Sequence, residues 1–141
     1  MTDTLEWRAL RDELEAISAR THAFNAYVFD AWDNLWCSAH SFESVASDDL
    51  LGFVHRMLAR SHVSLVRGGV LDDCVSDSRG YVYVRTYASC YVLVLRFSSR
   101  PECSLARAVV EAELDKLEAL TLKLPPSDGP GTSGAESANR A

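Results

Sequence analysis

The sequence predicts an α+β protein with three layers, in which a five-stranded antiparallel sheet has two helices on one face and one on the other. Hydrophobic periodicity switches between the helical and the strand period in the order α-β-β-α-β-β-β-α. Two strands, residues 22–31 and 89–98, are apolar on both faces, which is typical of central strands. Strand 70–76 carries two aspartates and a serine, which suits an edge. Since hairpin strands are neighbours, these features predict the sheet order 2-1-5-4-3, with strands numbered along the chain.

The first three elements follow from local patterns. Residues 4–20 repeat apolar side chains every three or four positions, as an amphipathic helix does, at Trp7, Leu10, Leu14 and Ile17. Strand 22–31 then alternates, and Asp33-Asn34 forms a two-residue hairpin signal because both side chains tolerate a positive φ. We expect residues 35–40 to return antiparallel.

A second helix and three strands come next. An apolar helical stripe runs to about residue 66, and Gly68-Gly69 is expected to end the helix. The stripe consists of Leu50, Leu51, Val54, Met57, Leu58 and Leu65. Strands are expected at 70–76, 80–88 and 89–98, with a turn at 77–80 between the first two.

The last helix begins at a strong signal. Ser99 is a favoured N-cap and Pro101 a favoured first-turn residue. The apolar stripe of this helix ends near Lys123, before Pro125-Pro126, and comprises Leu105, Val109, Val110, Leu114, Leu117 and Leu120. Residues 127–141 lack large apolar side chains, so we expect one domain over 1–126 and a disordered tail over 127–141.

Size and charge limit the function. A chain of 141 residues is expected to form one domain with a sizeable core. Its net charge of −6 opposes nonspecific binding to nucleic acid and to anionic lipid. No apolar run is long enough to span a membrane, and the polar, acidic N-terminus does not resemble a signal peptide.

The cysteines indicate a compartment. Cys37, Cys74, Cys90 and Cys103 form no CxxC pair, and two of them sit in apolar strand patterns. Free thiols in a reducing cytoplasm are the expected state, and disulfides or metal ligation are the alternatives.

No residue pattern predicts catalysis, a cofactor or a metal. The histidines lack metal-ligand spacing, although His55 and His62 are one heptad apart on the predicted helix. Aspartates at turns and strand edges usually bind water or cap the chain, and Gly68-Gly69 lacks a phosphate-binding frame. We therefore expect no catalytic residue and no bound cofactor.

One row of side chains leaves several interpretations open. Alternation places four residues on one face of strand 80–88, namely Tyr81, Tyr83, Arg85 and Tyr87. The row suits a face partly buried under a helix, a protein interface, or stacking on nucleic acid, and the acidic net charge disfavours the last.

Taken together, these patterns resemble the Roadblock / dynein light chain family, of bacterial type, within the longin- and profilin-like group. The hairpin over residues 26–39 is similar to the family's apolar strand, aspartate, turn and short strand. Residues 80–97 and the following helix are similar to its strand pair and C-terminal helix. The closing residues 122–126, Leu-Lys-Leu-Pro-Pro, are similar to the ends of bacterial members.

The resemblance implies a cytoplasmic, non-enzymatic adaptor that forms a homodimer or pairs with another Roadblock protein. Such dimers bind Ras-like small GTPases, as in bacterial cell-polarity and motility modules, or attach cargo to motors. The middle helix and third strand would form the dimer or partner interface, with these candidate residues: Asp48, Leu51, His55, Arg56, Arg60, His62, Asp72 and Cys74.

Two other functions stay open on the sequence alone. A two-sided sheet also suits a small-molecule sensor with its ligand between sheet and helix. A small enzyme is the weaker alternative, since no set of polar residues converges in the pattern.

Overall fold

The fold is described from a computed structural model that covers residues 5–30, 35–39, 45–64, 69–77, 80–88 and 90–124. For residues 35–38, 45–51 and 77 it describes the backbone alone. The elements are α1 (Leu5–Thr21), β1 (Asn25–Asp30), β2 (Leu35–Ser38), α2 (Val45–Arg60), β3 (Asp72–Asp77), β4 (Gly80–Tyr87), β5 (Tyr91–Phe97) and α3 (Arg100–Leu122). The α+β class is therefore confirmed.

All strand pairs of the sheet are antiparallel. The order is β2-β1-β5-β4-β3, the same as the hairpin argument gives. Each residue of β1 and of β5 is buried, which explains why the sequence of both strands is apolar on both faces. In the described chain, β3 pairs with β4 and lies at one end of the sheet.

Two apolar cores lie on opposite faces of the sheet. One packs α1 and α3 against the sheet through buried side chains that include Leu10, Leu14, Val28, Leu95 and Val110. The other packs α2 against the opposite face through Val54, Met57, Leu58, Tyr27, Val84 and Val94. Alternate residues of β1 and β5 serve the two cores, so the sheet is covered on both sides.

α3 begins as its sequence predicts. Ser99 has extended backbone angles, and its side chain accepts a hydrogen bond from the Glu102 N–H at 3.4 Å. Its buried face differs from the predicted stripe. The helical stripe predicts a buried Leu105, but this side chain is 73% exposed, because α3 contacts the sheet through Cys103, Ala106 and Val110.

α2 ends earlier than its sequence predicts. The helix stops at Arg60, well before Gly68-Gly69, because His62 turns into the left-handed region at φ 58°. The Val63 N–H then donates to the Leu58 carbonyl at 2.9 Å and the His62 N–H to the Ala59 carbonyl at 3.1 Å. This is a Schellman C-cap, with Val63 packed on the same core as Leu58.

The remaining strand boundaries are close to the predicted ones. β2 ends at Ser38, two residues short of the expected end, and β3 begins two residues later than expected. The Asp33-Asn34 turn and the tail over residues 127–141 lie outside the described residues and stay predictions.

Candidate functional site

Over residues 52–60, whose side chains are described, the outer face of α2 is polar and basic. His55, Arg56, Ala59 and Arg60 are exposed on it, and Val54, Met57 and Leu58 turn inward. We call the four exposed residues the α2 outer face. Asp48 and Leu51 belong to the same helix, but their side chains lie outside the described part of the chain.

The two arginines of this face add positive charge one helical turn apart. The Arg56 guanidinium lies 6.0 Å from the centre of the Phe53 ring, in the range of a cation–π contact. Across the described residues, no ion pair joins Arg56 or Arg60 to a carboxylate.

His62 does not share that face. It is exposed but lies beyond the end of α2, in the left-handed cap. The expectation that His55 and His62 share a helix face one heptad apart is therefore wrong, because the helix has ended before His62.

β3 lies at the rim of the sheet. Val75 of β3 and Phe53 of α2 each pack against the core on this side of the sheet. Asp73 and Ser76 are exposed. In the described chain one side of β3 pairs with β4, and no strand lies on its other side. We call this unpaired side of β3 the β3 edge. An unpaired strand edge is a template for pairing with another chain.

The two candidate residues in β3 direct their side chains away from the α2 layer. Asp72 and Cys74 stand opposite Arg85 and Tyr83 of β4, on the sheet face covered by α3. Only their backbone lies along the β3 edge.

Asp72 is held in an ion-pair cluster between β3, β4 and α3. Its carboxylate lies 3.1 Å from Nε of Arg107 and 3.4 Å from a terminal nitrogen of Arg85. Arg85 also pairs with Glu111 of α3. Tyr83 is fully buried beside this cluster, and burial, with the Asp72 carboxylate next, raises the pKa of Tyr83 to about 12. The hydroxyl therefore stays neutral at physiological pH.

Cys74 is bonded to Cys103 of α3, which corrects the prediction of free thiols for this pair. The S–S distance is 2.07 Å and the two Cα atoms are 6.3 Å apart. Cys90 is a free cysteine, and burial raises the pKa of its thiol. The side chain of Cys37 lies outside the described part. Cys74 and Cys103 therefore give no support for a reducing compartment.

The tyrosine row lies under α3. Tyr83 and Tyr87 belong to the core formed with α1 and α3, and Tyr81 packs against it. The Tyr87 hydroxyl makes a buried hydrogen bond to Thr121 Oγ1 at 2.8 Å. Of the three interpretations of this row, the structure favours the face buried under a helix.

The described residues offer little for catalysis. Asp72 and Asp73 point to opposite faces of β3, so their carboxylates do not act together. No group of three His, Cys, Asp or Glu among the described residues could hold a metal ion. Between α2 and the sheet, the described side chains pack into one buried core.

Within the same residues, no helix is both long and apolar enough to cross a bilayer.

Known structures show which class of fold this is. No protein-family model matches the sequence, and no curated protein matches it. The Roadblock/LC7 domain from Streptomyces avermitillis superposes with a TM-score of 0.52 at 13% identity, over 78% of this chain and 95% of that one. The protein therefore has the Roadblock/LC7 fold.

Two bacterial proteins with this fold are more similar in shape. MglB of Myxococcus xanthus gives a TM-score of 0.66 at 15% identity, covering 91% of this chain and 98% of that one. The gliding protein MglB of Thermus thermophilus gives 0.63 at 13% identity, covering 88% and 96%. At these identities the likeness is one of fold.

Proposed function

We propose that this protein is a non-enzymatic adaptor that works as a homodimer or together with another Roadblock protein. Its partner is a Ras-like small GTPase of the bacterial cytoplasm, in a polarity or motility module. The adaptor acts by holding the switch loops of the GTPase and supplies no catalytic residue of its own.

The observation that carries this proposal is that the described chain presents two open surfaces, the α2 outer face and the β3 edge. The helix offers Arg56 and Arg60 without carboxylate partners among the described residues, and within the same residues β3 offers an unpaired backbone edge. In the family that the sequence resembles, the middle helix and the third strand pair across a two-fold axis. Pairing of two β3 strands would continue the sheet from one copy into the next.

The choice of a GTPase partner rests on the resemblance and on the fold shared with MglB, one of whose structures is that of a gliding protein. The cytoplasmic location follows from that partner. Immobilised protein is expected to retain a small GTPase from an extract of its native cell, identified by mass spectrometry. An extract that yields no GTPase with either GTP or GDP present would contradict this part of the proposal.

The oligomeric state tests the first step. Light scattering at micromolar concentration is expected to give twice the chain mass of 15.6 kDa. A strict monomer that also finds no Roadblock partner would overturn the proposal.

Charge reversal tests the location of the interface. Arg56→Glu with Arg60→Glu is expected to weaken dimerisation at least about tenfold, because both charges lie at the proposed contact. Sedimentation gives the dissociation constant, and circular dichroism is expected to show an intact fold because both side chains are exposed.

A matched control carries the same change of charge on another layer. Arg100→Glu with Lys123→Glu reverses two exposed charges at the two ends of α3. We expect a dissociation constant like that of the unchanged protein. Equal loss in both variants would indicate an effect of net charge and move the contact away from the α2 outer face.

A further inference from the structure

The disulfide joins the β3 edge to a different layer of the molecule. Cys74 lies in the middle of β3, and Cys103 lies in the first turn of α3, 29 residues later in the chain. Among the described residues, the other links between β3 and α3 are the contacts of Arg107 with Asp72. The covalent bond therefore holds the centre of the strand that the proposed dimer uses.

The two sulfur-bearing residues differ in access. Cys74 is partly exposed at the rim of the sheet, and Cys103 is fully buried. Of the two residues, Cys74 is therefore the more open to an external thiolate, which makes the sulfur of Cys103 the leaving group in the exchange. Cys103 lies in the first turn of a long helix, where the positive end of the helix dipole offsets part of the cost of forming a thiolate at a buried position.

From this arrangement we propose that Cys74–Cys103 is a reversible thiol–disulfide exchange site that controls pairing at the β3 edge. The substrate class is a protein dithiol of the thioredoxin type, and the corresponding disulfide drives the reverse reaction. The proposal rests on the dimer proposed above. Oxidised protein has the β3 edge fixed for pairing, and reduced protein pairs less tightly.

The exchange balances without a further reactant. A thiolate of the dithiol attacks the Cys74 sulfur, the bond to Cys103 breaks, and the Cys103 thiolate takes a proton. The second thiol of the reductant then attacks the mixed disulfide and releases Cys74, which is protonated in turn. Two electrons pass from the dithiol to the cysteine pair, and the reductant leaves as a disulfide.

The effect on pairing follows from the ordering of the strand. A strand already held in place pairs without a further loss of conformational freedom, whereas a loosened edge must be ordered during association. After reduction β3 still keeps its ladder with β4 and the Asp72 ion pairs, so we expect weaker pairing and an intact fold. The expected change is about tenfold in the dissociation constant of the dimer.

The test compares oxidised and reduced protein in sedimentation experiments on the full chain. Alkylation of free thiols followed by peptide mass spectrometry reports the state of Cys74 and Cys103 in each sample. Reduction is expected to raise the dissociation constant about tenfold, and reoxidation to restore it. Circular dichroism checks that the reduced chain is folded.

Two variants separate this site from other cysteines. Cys90→Ser, which removes a free cysteine, is expected to respond to the reductant like the unchanged protein. Cys74→Ser with Cys103→Ser is expected to dimerise weakly with or without reductant. If that variant does not fold, the comparison on the unchanged chain still decides.

The outcomes are distinguishable. A dimer of equal affinity in both redox states, with the bond shown to open and close, overturns the exchange site and leaves the adaptor intact. Free thiols at Cys74 and Cys103 after treatment with an oxidised dithiol protein also overturn the site. A monomer in both redox states overturns the adaptor proposal, and the control of pairing with it.

Discussion

His22 and His62 each follow a helix in the left-handed conformation, at φ 66° and 58°. After α1, the Ala23 N–H donates to the Ser18 carbonyl at 3.1 Å, and the same bonding closes α2 through Val63 and Leu58. Both histidines therefore occupy the left-handed position of a helix C-cap, which lets the next N–H group bond to a carbonyl of the last helical turn. Glycine is the usual residue at this position. A side chain with a Cβ is strained there, because the left-handed region is favourable mainly for glycine.

A glycine at position 62 is expected to stabilise the protein. His62→Gly relieves the strain of the left-handed backbone, partly offset by the entropy of glycine in the unfolded chain. We expect the free energy of unfolding to rise by about 0.5–1 kcal/mol, measured by urea denaturation.

The matched control is the same substitution inside α2. His55→Gly lies at an exposed helical position, where glycine lowers the free energy of unfolding by roughly 0.3–0.5 kcal/mol. Two changes of the same sign would contradict the assignment of His62 to the helix cap.

Between elements, the packing of α1 on α3 includes a buried carboxyl group. Glu13 of α1 is 3% exposed, with Glu113 beside it and Nζ of Lys116 at 3.3 Å from one of its oxygens. Burial, followed by the neighbouring Glu113, raises the pKa of Glu13 to about 7. Arg20 lies 2.5 Å from Glu113, and the pKa of Glu113 is lowered by its hydrogen bonds, first to Glu13 and then to Arg20.

This carboxyl makes α1–α3 packing depend on pH. The folded state holds the proton of Glu13 more tightly than the unfolded state, whose pKa is near 4.5. The contribution of Glu13 to the free energy of unfolding is therefore fully present below pH 4.5 and is lost as the pH rises toward 7. Glu13→Gln keeps the neutral form, so its stability relative to the unchanged protein is expected to increase by roughly 2 kcal/mol between about pH 5 and 8.

Urea denaturation across that pH range measures the difference. Glu6→Gln, an exposed glutamate of the same helix, serves as the control and is expected to follow the unchanged protein at every pH. A Glu13→Gln variant whose stability parallels that of the unchanged protein would show that Glu13 ionises alike in both states.

On the scale of the whole molecule, β5 joins the two cores. It lies between β1 and β4, and Leu95 stands opposite Ala26 on one side and Tyr83 on the other. Leu95→Ala is expected to lower the free energy of unfolding by about 3 kcal/mol through lost burial and the cavity that remains. Leu105→Ala changes a leucine that is 73% exposed and is expected to stay within about 0.5 kcal/mol of the unchanged protein. Equal losses at both positions, measured by urea denaturation, would contradict this packing.

Much of this architecture could be predicted from the sequence, because the period of apolar residues reports directly on burial. The end of α2 could not be predicted, because histidine is not a residue that usually ends a helix. The cap at His62 depends on Val63, which packs on the same core as Leu58 and bonds to its carbonyl. Leu105 fits the helical stripe, yet smaller residues of α3 make the contact with the sheet. Which face of a helix is buried depends on its neighbours as well as on its own pattern.

The candidate site was predictable in part for the same reason. The exposed positions of Arg56 and Arg60 follow from helical spacing within α2. The directions of Asp72 and Cys74 depend on the register of β3 against β4, and the bond to Cys103 depends also on where α3 lies. Long-range placement of this kind leaves no mark in the spacing of the residues.

Helices on both sides of the sheet also affect how such a chain can diverge. Because β1 and β5 are buried along their whole length, substitutions in them are limited by the shape and volume of the side chains. Substitutions on the outer faces of the helices and at the edge of the sheet are limited by what those surfaces bind. Changes of binding specificity can therefore accumulate without disturbing the interior. Homologues that differ at most of their residues would then share one backbone fold, although each binds a different partner.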